Sequence, residues 1–198
     1  MNKKYELTDE TKEIGGITLH RIRALRNIPR YGVRSGDLGG WIEAESNLSQ
    51  DGDAWVGGDA KVYGEALVYG DARVYGEALV GGNAVAYGNA VVCGDARVYG
   101  EALVNGNAEV SGNAEVKSIR DYAVFKNGWS SGRWFTYTRS NRMWRVGCFH
   151  GTGKELIAKA YKDSDLSGKC YEAIVRAQEA IDRAIDERKE TRNEQRKA

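Results

Sequence analysis

Between Asp53 and Lys117 the chain repeats a six-residue unit. D-A-R-V-Y-G (71–76) and E-A-L-V-Y-G (65–70) are typical copies, and looser ones reach back to Trp41. So short a fixed period is the strongest constraint in the chain, because whatever one unit does its neighbours must do as well. Within each unit Ala and Val alternate, the period-2 signature of a strand with one buried face. Valine suits a strand, and alanine leaves room where an interior is narrow. The recurring glycine fits a corner that needs positive φ, and the Asp, Glu or Asn after it is a turn residue.

Short strands separated by corners wind into a single-stranded parallel β-helix. The pattern resembles the left-handed β-helix of hexapeptide-repeat proteins, in which three hexads complete one triangular coil. On that likeness roughly thirteen hexads give about four coils of ~18 residues, left-handed as in the family. Outward side chains then fall into columns on three prism faces. The first carries Leu67, Tyr69, Val85, Tyr87, Leu103 and Asn105. The second carries Trp55, Arg73, Tyr75, Val91, Cys93, Glu109 and Ser111, and the third carries Lys61, Tyr63, Leu79, Gly81, Arg97, Tyr99 and Glu115. The apolar run of the first face (Leu67, Tyr69, Val85, Tyr87, Leu103) is expected to be an interface, since a patch of that kind normally meets something. Its occupant is either another copy of the chain or the C-terminal unit folding back. Hexapeptide β-helices commonly form trimers, so the likeness favours a homotrimer.

The formal net charge of +1 conceals three textures. Residues 1–46 hold eight Lys/Arg against seven Asp/Glu, residues 47–117 four against ten, and residues 118–198 seventeen against eleven. We therefore divide the chain into an N-terminal strand cap (1–46), a repeat body (47–117) and a C-terminal unit (118–198). The cap is read from alternation in Ile17-Thr18-Leu19-His20-Arg21-Ile22 and from Tyr5-Glu6-Leu7. No apolar run is long enough to span a bilayer, and the opening residues are too polar for a signal peptide. Cys93, Cys148 and Cys170 are widely spaced and odd in number, so they suggest neither a disulfide framework nor a zinc site. A reducing, cytoplasmic setting without membrane contact is expected.

Many left-handed β-helix proteins are acyltransferases, whose chemistry needs a histidine base at the groove between subunits. Here the repeats contain no histidine, and only His20 and His150 lie outside them. We therefore expect no enzyme and no cofactor, with acyltransferase ranked third among the functions considered. The acidic corners Asp59, Glu65, Asp71 and Glu77 are read as solvated turns, not as a calcium array, and no metal is expected. G-T-G-K-E-L (151–156) lacks phosphate-loop spacing and is read as the start of a helix.

After Lys117 the texture changes. Asn127-Gly128, Ser131-Gly132 and Ser140-Asn141 are turn signals separating three strand-like runs at 122–125, 134–138 and 143–148. Helices are expected over about 154–163 and 168–190, with the last ten residues frayed. In the second helix Ile174, Ala177, Ile181, Ala184 and Ile185 form an apolar stripe, expected to pack on the meander or to join a helix bundle at an oligomer axis. The whole is mainly β, with a small α+β unit at its C-terminus.

Residues 118–150 combine six Lys/Arg with one acid and eight aromatics. Arginine forks bind phosphates and aromatic rings stack on bases. Trp129, Arg133, Trp134, Tyr137, Arg139, Arg142, Trp144 and Arg145 are accordingly the candidate ligand-binding residues. A small meander also needs aromatics for its core, and arginine suits its wet face, so both readings stand.

The opening K-Y-E-L-T-D-E-T-K-E-I-G-G-I-T-L-H, the element G-G-W-I-E-A-E-S-N-L-S-Q (39–50) and the V-Y-G-D-A repeats resemble a group of phage and prophage hexapeptide-repeat proteins, similar to β-helix proteins labelled transferases. The likeness covers residues 3–117, and no established catalytic residues travel with it. It implies a small rigid homo-oligomer in the cytoplasm of a bacterial host, acting by binding. The function expected is sequestration of a nucleotide-type host immune signal. The alternative is a protein-binding inhibitor of a host defence factor, or a structural oligomerisation module.

Overall fold

Alternation over the first residues produces a hairpin of β1 (Tyr5–Ile14) and β2 (Ile17–Ala24), turned at Gly15 and Gly16, both with positive φ. In the computed structural model, which describes residues 3–195, β2 pairs antiparallel with β3 (Leu38–Ile42). Eleven two-residue strands follow: β4 (Trp55–Val56), β5 (Lys61–Val62), β6 (Leu67–Val68), β7 (Arg73–Val74), β8 (Leu79–Val80), β9 (Val85–Ala86), β10 (Val91–Val92), β11 (Arg97–Val98), β12 (Leu103–Val104), β13 (Glu109–Val110) and β14 (Glu115–Val116). They stack in parallel as three sheets, β3-β5-β8-β11-β14, β4-β7-β10-β13 and β6-β9-β12. The chain is a β-solenoid of about four turns, and its registers (Lys61↔Leu79↔Arg97↔Glu115, Arg73↔Val91↔Glu109, Leu67↔Val85↔Leu103) reproduce the expected columns.

Every inward position from Ala54 to Val116 is Ala or Val, and each is buried. The interior is narrow enough that this pair fills it without larger side chains. The corners need glycine for two reasons. Gly76 has φ 76°, and a Cβ added there would stand 3.1 Å from the backbone nitrogen of Gly94 in the next coil. A side chain at that corner would strain the turn and push adjacent coils apart.

The body starts inside the segment assigned to the cap, because Trp41 and Ile42 already pair with Lys61 and Val62. Asn47 makes the irregular corner of this first coil: its buried amide donates to the carbonyls of Gly64 (2.9 Å) and Ala66 (2.8 Å). The hairpin extends the first sheet, while the residues at its start plug the open end. Tyr5 donates to Leu48 O at 2.7 Å, and the buried Lys4 ammonium donates to Ala54 O at 2.7 Å. Burial pulls the Lys4 pKa down to about 8.

The other end is closed by a four-stranded antiparallel meander, β15 (Tyr122–Lys126), β16 (Trp134–Thr138), β17 (Met143–Val146) and β18 (Phe149–Thr152). Strand parity divides β15 between two cores. Tyr122 and Val124 pack on the last coil, whereas Ala123 and Phe125 face the second core. The run at 143–148 was expected to be one strand, but Gly147 turns at φ 55° and frees 149–152 to form a fourth. Helices α1 (Gly153–Asp163) and α2 (Asp165–Gln195) follow. Thr152 and Glu155 form a capping box at the start of α1, so Gly151–Leu156 is a helix start in which the N–H groups of Thr152 and Glu155 are covered by each other's side chains. Helix α2 continues through the positions expected to fray up to Gln195, and 196–198 lie outside the described residues.

The stripe expected to pack on the meander does not. Tyr171, Val175, Gln178 and Asp182 are the buried face of α2; Ile174 reaches the core only at its margin, and Ile181 is 50% exposed. Ala177 and Ala184 are exposed and Ile185 is half-buried. The buried Tyr137 hydroxyl donates to the Asp182 carboxylate, which also accepts from Gln178 (3.1 Å) and faces Arg139 (3.6 Å). A buried hydroxyl and a half-buried guanidinium both require an acceptor, and this network turns α2 so that an aspartate faces inward. Burial, then the bond to Asp182, pushes the Tyr137 phenol far above its ordinary pKa.

Candidate functional site

Alternation along β16 and β17 sorts the candidate residues. Phe135 and Tyr137 point toward the helices; Trp134 and Thr136 point the other way, toward the solenoid. Thr136 pairs with Arg145 and Tyr137 with Trp144, so Arg145 joins the solenoid side and Trp144 the core. The solenoid answers with its second face: Glu109 donates its backbone N–H to Thr136 Oγ1 at 2.9 Å and accepts from Arg145 Nε at 2.7 Å.

Between the two surfaces lies a cleft of about 340 Å³, walled by Asn89, Val91 and Asn107 of the solenoid and by Arg133, Trp134 and Arg145 of the C-terminal unit. That volume lies within the range of small-ligand sites. Trp134 is 41% exposed, with Lys126 Nζ 5.4 Å from its ring centre. Arg133 has no ion pair among the described residues, whereas Arg145 shares its charge with Glu109. The cleft therefore joins one open aromatic face, two guanidinium groups, two carboxamides and the Glu109 carboxylate that pairs with Arg145.

The other five candidates do not join it. Tyr137 and Trp144 are core residues, 5% and 2% exposed. Trp129 packs edge-on against Tyr171 and Phe135, and its indole Nε1 is buried without an acceptor. Arg139 binds Asp186 and faces Asp182, and Arg142 lies 3.7 Å from Asp186. These two arginines line a different pocket whose three cations, with Lys117, are balanced by Glu115, Asp121 and Asp186. Eight candidates thus reduce to three. Asn89 and Asn107 were missed, although they stand one coil apart on a single corner below Asp71 and are the two places in that column where the repeat departs from acid.

The first prism face is an open groove of about 640 Å³, in which Leu67, Tyr69, Val85, Tyr87 and Leu103 line up. The rings of Tyr69 and Tyr87 stack with centres 5.1 Å apart and planes 2° apart. No described residue of the C-terminal unit lines it; Glu45, Ser46 and Leu48 to Gln50 form its rim, so the described part of that unit does not fold back onto this face as one alternative expected. The two histidines stand at opposite ends of the solenoid, His20 in β2 and His150 in β18, close beside Gly112.

Among the described residues no helix is long and apolar enough to cross a membrane, and no group of three His, Cys, Asp or Glu side chains is placed to hold a metal. No protein-family model matches the chain, and no curated protein matches it in sequence.

Proposed function

We propose that this chain is a non-enzymatic binding protein, an oligomeric β-helix scaffold that sequesters a nucleotide-type ligand in the cleft between its second prism face and its C-terminal sheet. The observation that carries this reading is Trp134, an indole left open beside Arg133 and Arg145 in a cleft of ligand size. A base stacked on such a ring gains ~1–3 kcal/mol, and guanidinium forks suit phosphate oxygens. Asn107 supplies an amide that both donates and accepts, as a base edge requires, and Asn89, whose Oδ1 accepts from Arg30, supplies an amide donor. The resemblance to phage and prophage proteins supplies the setting, a host immune signal sequestered in the host cytoplasm. Calorimetry against cyclic and ADP-ribose-type nucleotides tests it. Wild type should bind at least one, and Trp134→Ala should weaken that binding at least tenfold; a wild type that binds none contradicts the reading.

The apolar groove of the first face supports self-association, with a trimer as the expected assembly. Sedimentation should show an oligomer that Tyr87→Glu converts to monomer, whereas a monomeric wild type would remove the scaffold from the proposal. A second reading, a protein-binding inhibitor of a host defence factor, draws on the outward stripe of Ala177, Ile181 and Ala184 on α2. It predicts that a host protein is retained on the wild-type chain and released by Ile181→Glu, with no nucleotide bound.

A further inference from the structure

Beyond Asn89, at the edge of the cleft, two further arginines stand against the second prism face. Arg30, in the loop before β3, donates to Asn89 Oδ1 at 2.6 Å and contacts Asp71 at 3.3 Å. Its neighbour Tyr31 donates its hydroxyl to the Asp71 carbonyl, which fixes the loop against the second prism face. Beside them Arg73 lies between two rings, 5.1 Å from the centre of Tyr31 and 4.4 Å from that of Tyr75. Its Nε is buried without an acceptor, and the nearby carboxylates of Asp71 and Glu109 are engaged by Arg30 and Arg145. Among the described residues Arg73 therefore makes no ion pair, and its charge faces the two aromatic rings alone. Stacking on aromatic faces holds its planar fork in one orientation, which lowers the ordering cost of binding an anion.

Arg73 and Glu109 are two coil steps apart on one face, since Arg73 pairs with Val91 and Val91 with Glu109. At a strand spacing of ~4.8 Å this is about 10 Å, and Arg145 stands at the far end. Between them Asn89 and Val91 form both the wall of the cleft and the contact to Arg30 and Arg73.

We propose that Arg73 and Arg30 form a second anion subsite on the second prism face, so that the ligand is of dinucleotide type, with one base on Trp134, one phosphate at Arg133 and Arg145, and a second phosphate at Arg73. This extension rests on the nucleotide reading of the cleft. It assigns to the N-terminal segment a share of the ligand, and it explains why Arg30 and Tyr31 reach across to the repeats. Asp71 and Asn89 hold Arg30 through its two terminal nitrogens and so fix its half-exposed guanidinium at the edge of the cleft.

Calorimetric titration of wild type, Arg73→Gln and Arg30→Ala with AMP and with the linear dinucleotide pApA tests the subsite. Wild type should bind pApA at least tenfold more tightly than AMP. Each variant should lose about tenfold in affinity for pApA and keep its affinity for AMP. Arg30 is on the surface, so its variant stays informative if loss of the stacked Arg73 disturbs the fold. Equal wild-type affinities for the two probes, or variants that keep the wild-type preference, overturn the second subsite; AMP binding that Trp134→Ala abolishes would still uphold the cleft. No binding of either probe to wild type overturns the second subsite, and the cleft then stands or falls on the panel of cyclic and ADP-ribose-type nucleotides.

Discussion

From Ala54 to Val116 each inward residue of the solenoid is Ala or Val, and its neighbours above and below are the same positions in the adjoining coils. In the C-terminal unit the core is Phe135, Tyr137, Trp144 and Tyr171 in mutually tilted rings, no two in the same surroundings. The first region repeats one packing solution, so a single local rule closes it. The second is held by unique long-range contacts, such as the one between Tyr137 and Asp182. Their difference explains where the candidate site lies. A repeating surface offers the same few groups at each step, whereas the aromatic unit supplies an indole and arginines that occur once, and the cleft forms where the two meet.

If the two regions really are held in these different ways, they should fail separately. Phe135→Ala removes a ring that is 1% exposed from the centre of the second core, and should cost about 4 kcal/mol. Hydrogen exchange should show protection lost across 122–190 and retained across 54–116; loss in both together would mean that the solenoid depends on the unit that caps it. A finer contrast lies within α2. Asp182→Ala should cost about 3 kcal/mol, because it leaves the Tyr137 hydroxyl without its acceptor and Arg139 with Asp186 alone. Ile181→Ala, one residue away but half exposed, should change stability by no more than ~0.5 kcal/mol. Denaturant unfolding measures both, and the reverse order would restore the apolar stripe as the packed face.

The same contrast governs how much could be read from residues alone. The solenoid columns were legible because the period fixes each neighbour: once Leu67 is placed, Val85 and Leu103 follow. The irregular corner of the first coil was not, since Asn47 replaces the glycine corner with side-chain bonds that have no repeat signature. For α2, helical spacing marked Ile174, Ala177 and Ile181 as the inner face, but the partners that rotate the helix, Tyr137 and Arg139, are about 45 residues away in sequence. Part of the site was within reach. Strand parity alone separates Trp134 from Tyr137 and Arg145 from Trp144, which composition had grouped as one patch. The contributions of Arg30 and Arg73 depend on which solenoid face the N-terminal loop crosses, and no periodicity encodes that.

Of the five tryptophans, Trp134 is the exposed one; Trp41, Trp55 and Trp144 are buried and Trp129 is half-buried. Tryptophan fluorescence during titration with cyclic and ADP-ribose-type nucleotides therefore reports directly on the cleft. The account predicts saturable quenching in wild type that disappears in Trp134→Phe. A wild-type signal unmoved across the panel, or quenching that survives in Trp134→Phe, would contradict it.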